Sequence, residues 1–185
     1  MEKILNKKFL LFSDSHGGIS ALKNVFDWAK DHIPPNDTIS AAVCLGDGLA
    51  DISKAADAAG FFSDWKIVRG NNDYMQAPEA DVYDFAGSRF FLCHGHRYGL
   101  YGGTHALAAA AKNNNANAAL FGHTHVPFYK NSEGIIFINP GSVSRPRSRI
   151  GATFAVIECI EGGPLDAIFY GIGGSGGIYR IKVQN

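Results

Sequence analysis

The chain has 185 residues, and its 17 Lys and Arg residues are balanced by 17 Asp and Glu residues. This length, together with 46% hydrophobic residues, predicts one domain with a sizeable core. The balanced charge argues against general binding of nucleic acids or membrane surfaces, but it leaves recognition of a small anion open. No stretch approaches the roughly 20 apolar residues that a membrane span needs.

The three cysteines, Cys44, Cys93 and Cys159, lie in or beside apolar segments. Their odd number and positions predict buried reduced thiols, although Cys93 precedes a histidine and a ligand role stays open. The basic amino terminus is followed by an apolar run of only four residues, 9–12, which is too short for a signal peptide. We therefore expect a cytoplasmic protein.

The first half of the chain alternates short apolar runs with segments of helical periodicity. The predicted order is strand 9–12, a helix from about Ser20 to Ala29, strand 39–45, helix 51–59 and strand 65–68, with Pro34 and Pro35 ending the first helical unit. Such an order predicts parallel strands joined by right-handed crossovers.

The second half has hairpin patterns, which predict antiparallel pairing. The predicted elements are strands 82–85 and 89–93, helix 104–112, and strands 120–121, 128–130, 135–138, 153–159 and 167–170. The segment GIGGSGG at 171–177 predicts a flexible turn or a frayed tail, with a phosphate-approaching loop as the alternative. We expect a single domain over 1–185, with a core of about 9–170 and a Gly-rich C-terminal segment, 171–185.

Five breaks in the chain share one form, in which an apolar strand ends abruptly in Asp, Asn or His together with Gly. They are Ser13-Asp14-Ser15-His16-Gly17, Gly46-Asp47, Gly70-Asn71-Asn72-Asp73, His94-Gly95-His96 and Gly122-His123-Thr124-His125. These breaks contain five of the seven histidines. In open α/β sheets, ligands bind outside the carboxyl ends of the strands, so these clusters predict one ligand site.

The candidate metal ligands in these breaks are two carboxylates, one amide and four imidazoles. They are Asp14, Asp47, Asn71, His16, His94, His123 and His125. This is more than one four-coordinate ion requires, and it suits two ions that share a bridging carboxylate. Oxygen and imidazole donors without thiolate favour Mn, Fe or Zn over Ca or Mg.

In this order, the motifs Asp-x-His, Gly-Asp, Gly-Asn-x-Asp, His-Gly-His and Gly-His-x-His resemble those of the calcineurin-like metallophosphoesterases. The spacing, together with Asn139-Pro-Gly-Ser142, is most similar to the small bacterial and archaeal phosphodiesterase (YfcE-like) branch. The resemblance spans residues 9 to about 160. It implies a four-layer αββα sandwich of two mixed β-sheets flanked by helices, with the metals between the sheets.

The resemblance also implies roles for the seven ligands. Asp14, His16 and His125 would hold one metal, Asn71, His94 and His123 the other, and Asp47 would bridge the two. The cofactors would be two divalent ions, with Mn as first choice and Fe, Zn or Ni as alternatives. The larger phosphatases have an Arg after Gly-Asp and a His after Gly-Asn, whereas this chain lacks that Arg and has Asn72. A protein-phosphatase activity is therefore not expected.

Residues around the predicted ligands are candidates for further roles. His96 is a candidate for phosphate contact or proton donation, with a surface role as the alternative. Asp73 is a candidate for orienting a ligand histidine, or a simple turn residue. Asn72 and Arg97 are candidate substrate-binding residues, and Arg145 is another, although either Arg can instead be a surface residue. His32 and His105 are expected to lie outside the site.

The predicted function is a dinuclear metal-dependent phosphodiesterase, in which a metal-bridging hydroxide attacks a small phosphodiester. Because no strong general acid is evident, aryl diesters should react more readily than alkyl monoesters. One alternative is a protein-binding scaffold of the same fold, similar to the retromer subunit. Another is a nucleotide-specific hydrolase, in which Tyr74, Tyr98 or Tyr101 stacks on the base. The sequence leaves the oligomeric state open, a homo-oligomer included.

Overall fold

The computed structural model describes residues 6–32 and 39–183 of the chain. The break predicted at Pro34 and Pro35 lies outside these residues. Within the described ranges, no helix has both the length and the apolar character needed to cross a bilayer.

The described residues form eleven strands, three α-helices and one short 3-10 helix at Leu100–Gly102. The strands are β1 (Asn6–Phe12), β2 (Ile39–Cys44), β3 (Trp65–Ile67), β4 (Ala80–Phe85), β5 (Ser88–Cys93), β6 (Ala118–Phe121), β7 (Pro127–Ser132), β8 (Ile135–Pro140), β9 (Ala152–Ile160), β10 (Leu165–Ile172) and β11 (Ile178–Ile181). The helices are α1 (Ile19–His32), α2 (Leu49–Ala59) and α3 (His105–Asn113).

The first sheet has six strands in the order β11-β10-β9-β1-β2-β3. Its β1, β2 and β3 are parallel, whereas β9, β10 and β11 pair antiparallel, so the sheet is mixed as the sequence predicts. Helices α1 and α2 cover its outer face. The apolar positions of α1 recur at helical spacing, at Leu22, Val25, Phe26 and Ala29, and all four are buried.

The second sheet has five strands in the order β4-β5-β6-β8-β7. The central pairs β5-β6 and β6-β8 are parallel, and the outer pairs are antiparallel. Helix α3 covers its outer face through Leu107, Ala108 and Ala111, which pack with residues of β5 and β6. The predicted helix over 104–112 is therefore confirmed, and it begins one residue later, after Thr104.

The two sheets pack face to face, and strand β1 shows how the sequence specifies both layers. Successive side chains of a strand point to opposite faces. Leu10 and Phe12 accordingly pack beneath α1 and α2, while Phe9 and Leu11 lie in the core between the sheets. The Phe9 ring meets that of Phe90, from the second sheet, edge to face at 5.3 Å. The four-layer αββα sandwich predicted from the sequence is confirmed.

The Gly-rich segment was predicted to be a flexible turn or a frayed tail, and the structure has a turn. Strand β10 continues to Ile172 and pairs with β11, so the residues between them are the turn of a hairpin. A Cβ at Gly171 would lie 2.7 Å from the Tyr179 ring, so a larger residue there would require this ring to move. The three cysteines are free and buried, as predicted.

Candidate metal centre

The loops that follow β1, β2, β3, β5 and β6 meet at one edge of the sandwich. Within the first sheet, the Asp14 N–H donates to the Gly46 carbonyl at 2.9 Å. Between the sheets, the His123 N–H donates to the Asp14 carboxylate at 3.0 Å, and His94 Nδ1 lies 2.8 Å from the Leu45 carbonyl. The five polar breaks of the sequence therefore converge in space.

Two groups of side chains at this edge have the spacing of metal ligands, and they share Asp14. One group is Asp14, His16 and His125, and the other is Asp14, Asp47 and His94. In the first group, Asp14 Oδ1 lies 3.0 Å from His125 Nε2 and 3.6 Å from His16 Nε2. In the second, Asp47 Oδ2 lies 3.4 Å from His94 Nε2.

Asp47 reaches into both groups. Its Oδ2 is also 3.6 Å from His16 Nε2, and Asp14 Oδ1 is 3.9 Å from His94 Nε2. Each carboxylate therefore has an imidazole of either group within 4 Å.

The orientation of two imidazoles is fixed by backbone carbonyls. His94 Nδ1 lies 2.8 Å from the Leu45 carbonyl, and His125 Nδ1 lies 2.6 Å from the Arg145 carbonyl. A carbonyl only accepts, so each Nδ1 carries a proton, and each neutral imidazole presents the lone pair of Nε2 to the centre. Metal-ligating histidines have this arrangement.

The polar atoms at the centre fit a divalent cation. Asp14 Oδ1 and His94 Nε2 are buried and have no hydrogen-bond partner among the described residues. In addition, His16 Nε2 and His125 Nε2 lie only 3.2 Å apart. Lone pairs and carboxylate oxygens at these separations repel one another unless a proton or a cation lies between them. The set of oxygen and imidazole donors matches the chemistry expected of Mn, Fe or Zn.

The carboxylates and two of the imidazoles shift each other's protonation. Burial opposes ionisation of Asp14, but the imidazoles of His125, His16 and His94 outweigh it and lower its pKa to about 2. Burial likewise opposes ionisation of Asp47, whose pKa His94 and Asn72 nevertheless lower.

Burial alone would lower the pKa values of the imidazoles, because it favours their neutral forms. The carboxylates of Asp47 and Asp14 outweigh burial and raise the pKa values of His94 and His125 above 6.5. A proton on either imidazole would therefore compete with a cation for the same nitrogen.

Five of the predicted ligands have a left-handed backbone, which is uncommon for residues other than Gly. Their φ angles are 57° at Asp14, 40° at His16, 56° at Asp47, 66° at His123 and 59° at His125. The other non-Gly residues with positive φ in the described ranges, Ala86, Asn115 and Glu133, lie in turns or just after a helix. Such backbone strain concentrates at functional sites.

Glycines let these loops approach one another. A Cβ at Gly70 would lie 2.0 Å from Asp47 Oδ1, and a Cβ at Gly122 would lie 2.1 Å from Ser13 Oγ. Both distances are far below van der Waals contact, so these positions accept no larger residue without a shift of the loops.

Asp73 organises the loop that carries Asp47. Its Oδ2 accepts hydrogen bonds from the N–H groups of Asp47 and Gly70 at 2.7 and 2.8 Å. Its Oδ1 accepts from Gly48 and Leu49, both at 2.9 Å. The sequence analysis expected Asp73 to orient a ligand histidine, but these bonds orient the backbone of Asp47 and the start of α2.

The two asparagines of the third break differ in position. Asn72 donates from its backbone N–H to Asp47 Oδ1 at 2.8 Å and from Nδ2 to Oδ2 at 2.6 Å. Asn71 is exposed, and its role as a metal ligand stays a prediction.

His123 and His96 lie beside the second group. The His123 ring centroid is 5.2 Å from that of His94 and 6.2 Å from that of His96. Burial, and secondarily the charge of His94, lower the pKa of both His96 and His123. Both imidazoles are therefore favoured as neutral groups. His96 Nδ1 is buried and has no hydrogen-bond partner among the described residues.

An open cavity of about 460 Å³ adjoins the first group, and its position changes which arginines face the site. It is lined by His16, Asn72, His125, Arg145, Pro146 and Arg147. Arg97, the predicted substrate-binding Arg, instead pairs with Glu79 at 2.8 Å, and Arg69 also pairs with Glu79. The structure thus supports Arg145 over Arg97, and it adds Arg147.

The sequence analysis also missed Asp51. Its buried carboxylate accepts hydrogen bonds from Ser15 Oγ at 2.6 Å and from the Gly17 N–H at 2.8 Å, and this fixes the loop after β1 to α2. Its position in the first turn of a helix that directly follows Gly46-Asp47-Gly48 was the available signal.

Two histidines lie apart from the centre, as expected. His32 contacts the Trp28 carbonyl at the end of α1, and His105 pairs with Glu133 at the start of α3.

Comparison with known proteins identifies the family. The family model of the calcineurin-like phosphoesterase superfamily domain matches residues 8–162. The phosphodiesterase YfcE of Escherichia coli is 34% identical over 176 residues, covering 82% of this chain and 87% of that protein.

Solved structures show the same fold. A predicted phosphoesterase from Streptococcus pneumoniae has a TM-score of 0.74 at 24% identity and covers 97% of this chain and 100% of that chain. Vps29 of Entamoeba histolytica, solved with Zn²⁺, has a TM-score of 0.69 at 22% identity, with 94% and 98% covered. On the match of the family model over residues 8–162, this chain belongs to the calcineurin-like phosphoesterase superfamily.

Proposed function

We propose that this chain is a phosphodiesterase that depends on two divalent metal ions. The observation that supports it best is the pair of ligand groups around Asp14, with fixed imidazoles whose Nε2 atoms point inward. Metal ions bound there would supply Lewis acidity and, at neutral pH, a hydroxide nucleophile.

We assign the seven predicted ligands to two positions. Asp14, His16 and His125 form the first, in agreement with one group in the structure. His94, His123 and Asn71 form the second. Asp47 would be shared between the two positions, as the family resemblance implies, and its Oδ2 lies 3.6 Å from His16 Nε2 and 3.4 Å from His94 Nε2. Mn is the first choice of metal, with Fe, Zn or Ni as alternatives, because a mixed set of oxygen and imidazole donors suits all of these ions.

Substrate binding is assigned to the cavity beside the first position. Arg145 and Arg147 line it together with His16 and His125, so two guanidinium groups stand next to the ligands. Guanidinium groups bind phosphate oxygens through paired hydrogen bonds. Asn72 lines the same cavity, although its side chain already donates to Asp47.

The preference for diesters with good leaving groups follows from the proton donors at hand. His96, whose ring lies 6.2 Å from that of His123, is the candidate proton donor, and burial together with the charge of His94 lowers its pKa, which favours the neutral imidazole. A neutral imidazole is a weak proton donor, so an ester oxygen that leaves without protonation reacts best. A small aryl diester is the expected substrate type.

The buried free thiols are consistent with a cytoplasmic location.

The test is an activity panel on protein stripped with a chelator. Bis(p-nitrophenyl) phosphate and p-nitrophenyl phosphate are assayed with Mn, Ni, Zn and Mg, and bound metal is counted. We expect about two ions per chain and faster turnover of the diester. His125→Asn should reduce diester activity by at least ~100-fold, while His105→Asn, a histidine in an exposed ion pair, serves as the matched control. Faster turnover of the monoester would contradict the proposal.

A protein-binding scaffold is the second candidate, because Vps29 shares the fold. The same metal count separates the two, since a chain that retains no divalent ion and hydrolyses no diester would favour the scaffold. The nucleotide-hydrolase alternative has weaker support. Tyr98 packs against Phe91 in the core and Tyr74 is fully exposed, which leaves Tyr101 as the aromatic side chain beside His123.

A further inference from the structure

A second, apolar cavity lies next to the candidate metal centre. It has a volume of about 240 Å³ and is lined mainly by Leu100, Tyr101, Phe121, Val126 and Phe128. Phe121 and Phe128 meet edge to face at 5.9 Å. A cavity of roughly 150 Å³ with such a lining suffices for a benzene ring. This space therefore matches a single aryl ring or a short alkyl group.

Three contacts join the apolar cavity to the centre. The Tyr101 ring lies 6.2 Å from that of His123, and the Arg147 guanidinium donates to the Tyr101 hydroxyl at 3.2 Å. Leu100 packs against the His94-Gly95-His96 segment, where a Cβ at Gly95 would lie 2.7 Å from Leu100 Cδ1. Val126 directly follows the ligand His125.

We propose that this cavity binds one ester group of the substrate, so that the enzyme selects phosphodiesters carrying an apolar group about the size of a phenyl ring. The proposal rests on the proposed phosphodiesterase function. Arg147 lines the polar cavity and also contacts Tyr101, a wall of the apolar one. A phosphate held at the arginines thus has its ester oxygens near both spaces. Apolar burial then adds affinity that a methyl ester cannot obtain.

The experiment keeps the leaving group constant. Phenyl p-nitrophenyl phosphate and methyl p-nitrophenyl phosphate both lose p-nitrophenolate as water adds to phosphorus, so leaving-group chemistry does not distinguish them. The quantity measured is the ratio of their kcat/KM values, phenyl over methyl. We expect Val126→Trp, which fills the cavity, and Tyr101→Ala, which removes a wall, each to lower this ratio by about tenfold.

Tyr179→Ala is the matched control, because Tyr179 is also an exposed tyrosine and lies in β11, away from the residues that line the apolar cavity. Comparing variants with the unmodified enzyme cancels the intrinsic reactivity of the two esters. An unchanged ratio in both cavity variants would overturn the proposal.

A binding measurement on metal-free protein separates this proposal from the proposed function. Diphenyl phosphate should shift the methyl NMR resonances of Leu100 and Val126, and dimethyl phosphate should not. If no metal supports hydrolysis of either diester, the proposed function fails, while the NMR shifts still decide whether the cavity binds an aryl ester. The absence of shifts at both methyl sites would refute the cavity assignment.

Discussion

Substitution of Asp73 by Asn tests whether one carboxylate holds the loop of Asp47 in place. Four backbone N–H groups, two at each oxygen, donate to Asp73 at 2.7 to 2.9 Å. Asn keeps only one acceptor oxygen, and its NH₂ must replace either Oδ1 or Oδ2. In either orientation, two N–H donors lose their acceptor and face another donor.

The magnitude follows from those two unsatisfied donors. Each buried donor left without a partner costs about 1–3 kcal/mol, and the remaining two bonds weaken because the acceptor is no longer charged. Asp73 is half-buried, so water replaces part of the loss. We therefore expect Asp73→Asn to lower the free energy of unfolding by about 3 kcal/mol.

Urea unfolding followed by far-UV circular dichroism measures this change. Asp81→Asn is the control, since Asp81 is an exposed acid that, among the described residues, accepts a single local bond, from the Val82 N–H. The control should lie within about 0.5 kcal/mol of the unmodified chain. Equal effects of the two substitutions would refute the assignment of Asp73 as the organiser of this loop.

Three further results are expected. Gly70→Ala should abolish metal-dependent activity, because the added Cβ would lie 2.0 Å from Asp47 Oδ1. Gly174→Ala is the control and should leave activity unchanged in the same assay, because the space around its added Cβ is open. Metal affinity should fall as pH drops through the raised pKa values of His94 and His125, because protons then compete for the imidazoles. Calorimetry at pH 6 to 8 should show that metal binding releases protons, and a pH-independent affinity would contradict this prediction. Finally, Mn at ~100-fold above its Kd should stabilise the chelator-treated protein by about 2.7 kcal/mol in thermal unfolding, and an unchanged Tm would argue against a resident metal site.

The main strands and helices could be predicted because their apolar residues recur with the period of the element and face a core. Strand β1 is apolar on both faces, with Phe9 and Leu11 in the core between the sheets and Leu10 and Phe12 beneath the helices. Strand β11 was missed because it follows a Gly-rich turn. Its residues gain their strand conformation from pairing with β10, which no local pattern reveals.

The residues of the candidate site could be predicted from the sequence, but the partners and orientations of the side chains around it could not. The sequence places Asp14, Asp47 and His94 at strand ends, and the fold brings them together. The sequence does not show with which neighbour a long side chain will pair. Arg97 pairs with Glu79, while Arg147 reaches the site from a loop more than 20 residues beyond His123. These choices depend on contacts between segments distant in sequence.

The left-handed backbone at five ligand positions has an evolutionary consequence. Replacing Asp14, Asp47 or His123 with Val or Ile would remove a metal-ligating atom, and the β-branched side chain would also clash in the left-handed conformation. Loss of catalysis during evolution is therefore restricted to few substitutions at these positions. A descendant that abandoned the metals while keeping the architecture should carry Asn, Asp or Gly at these positions, so polar loops alone would not reveal whether such a lineage is still an enzyme.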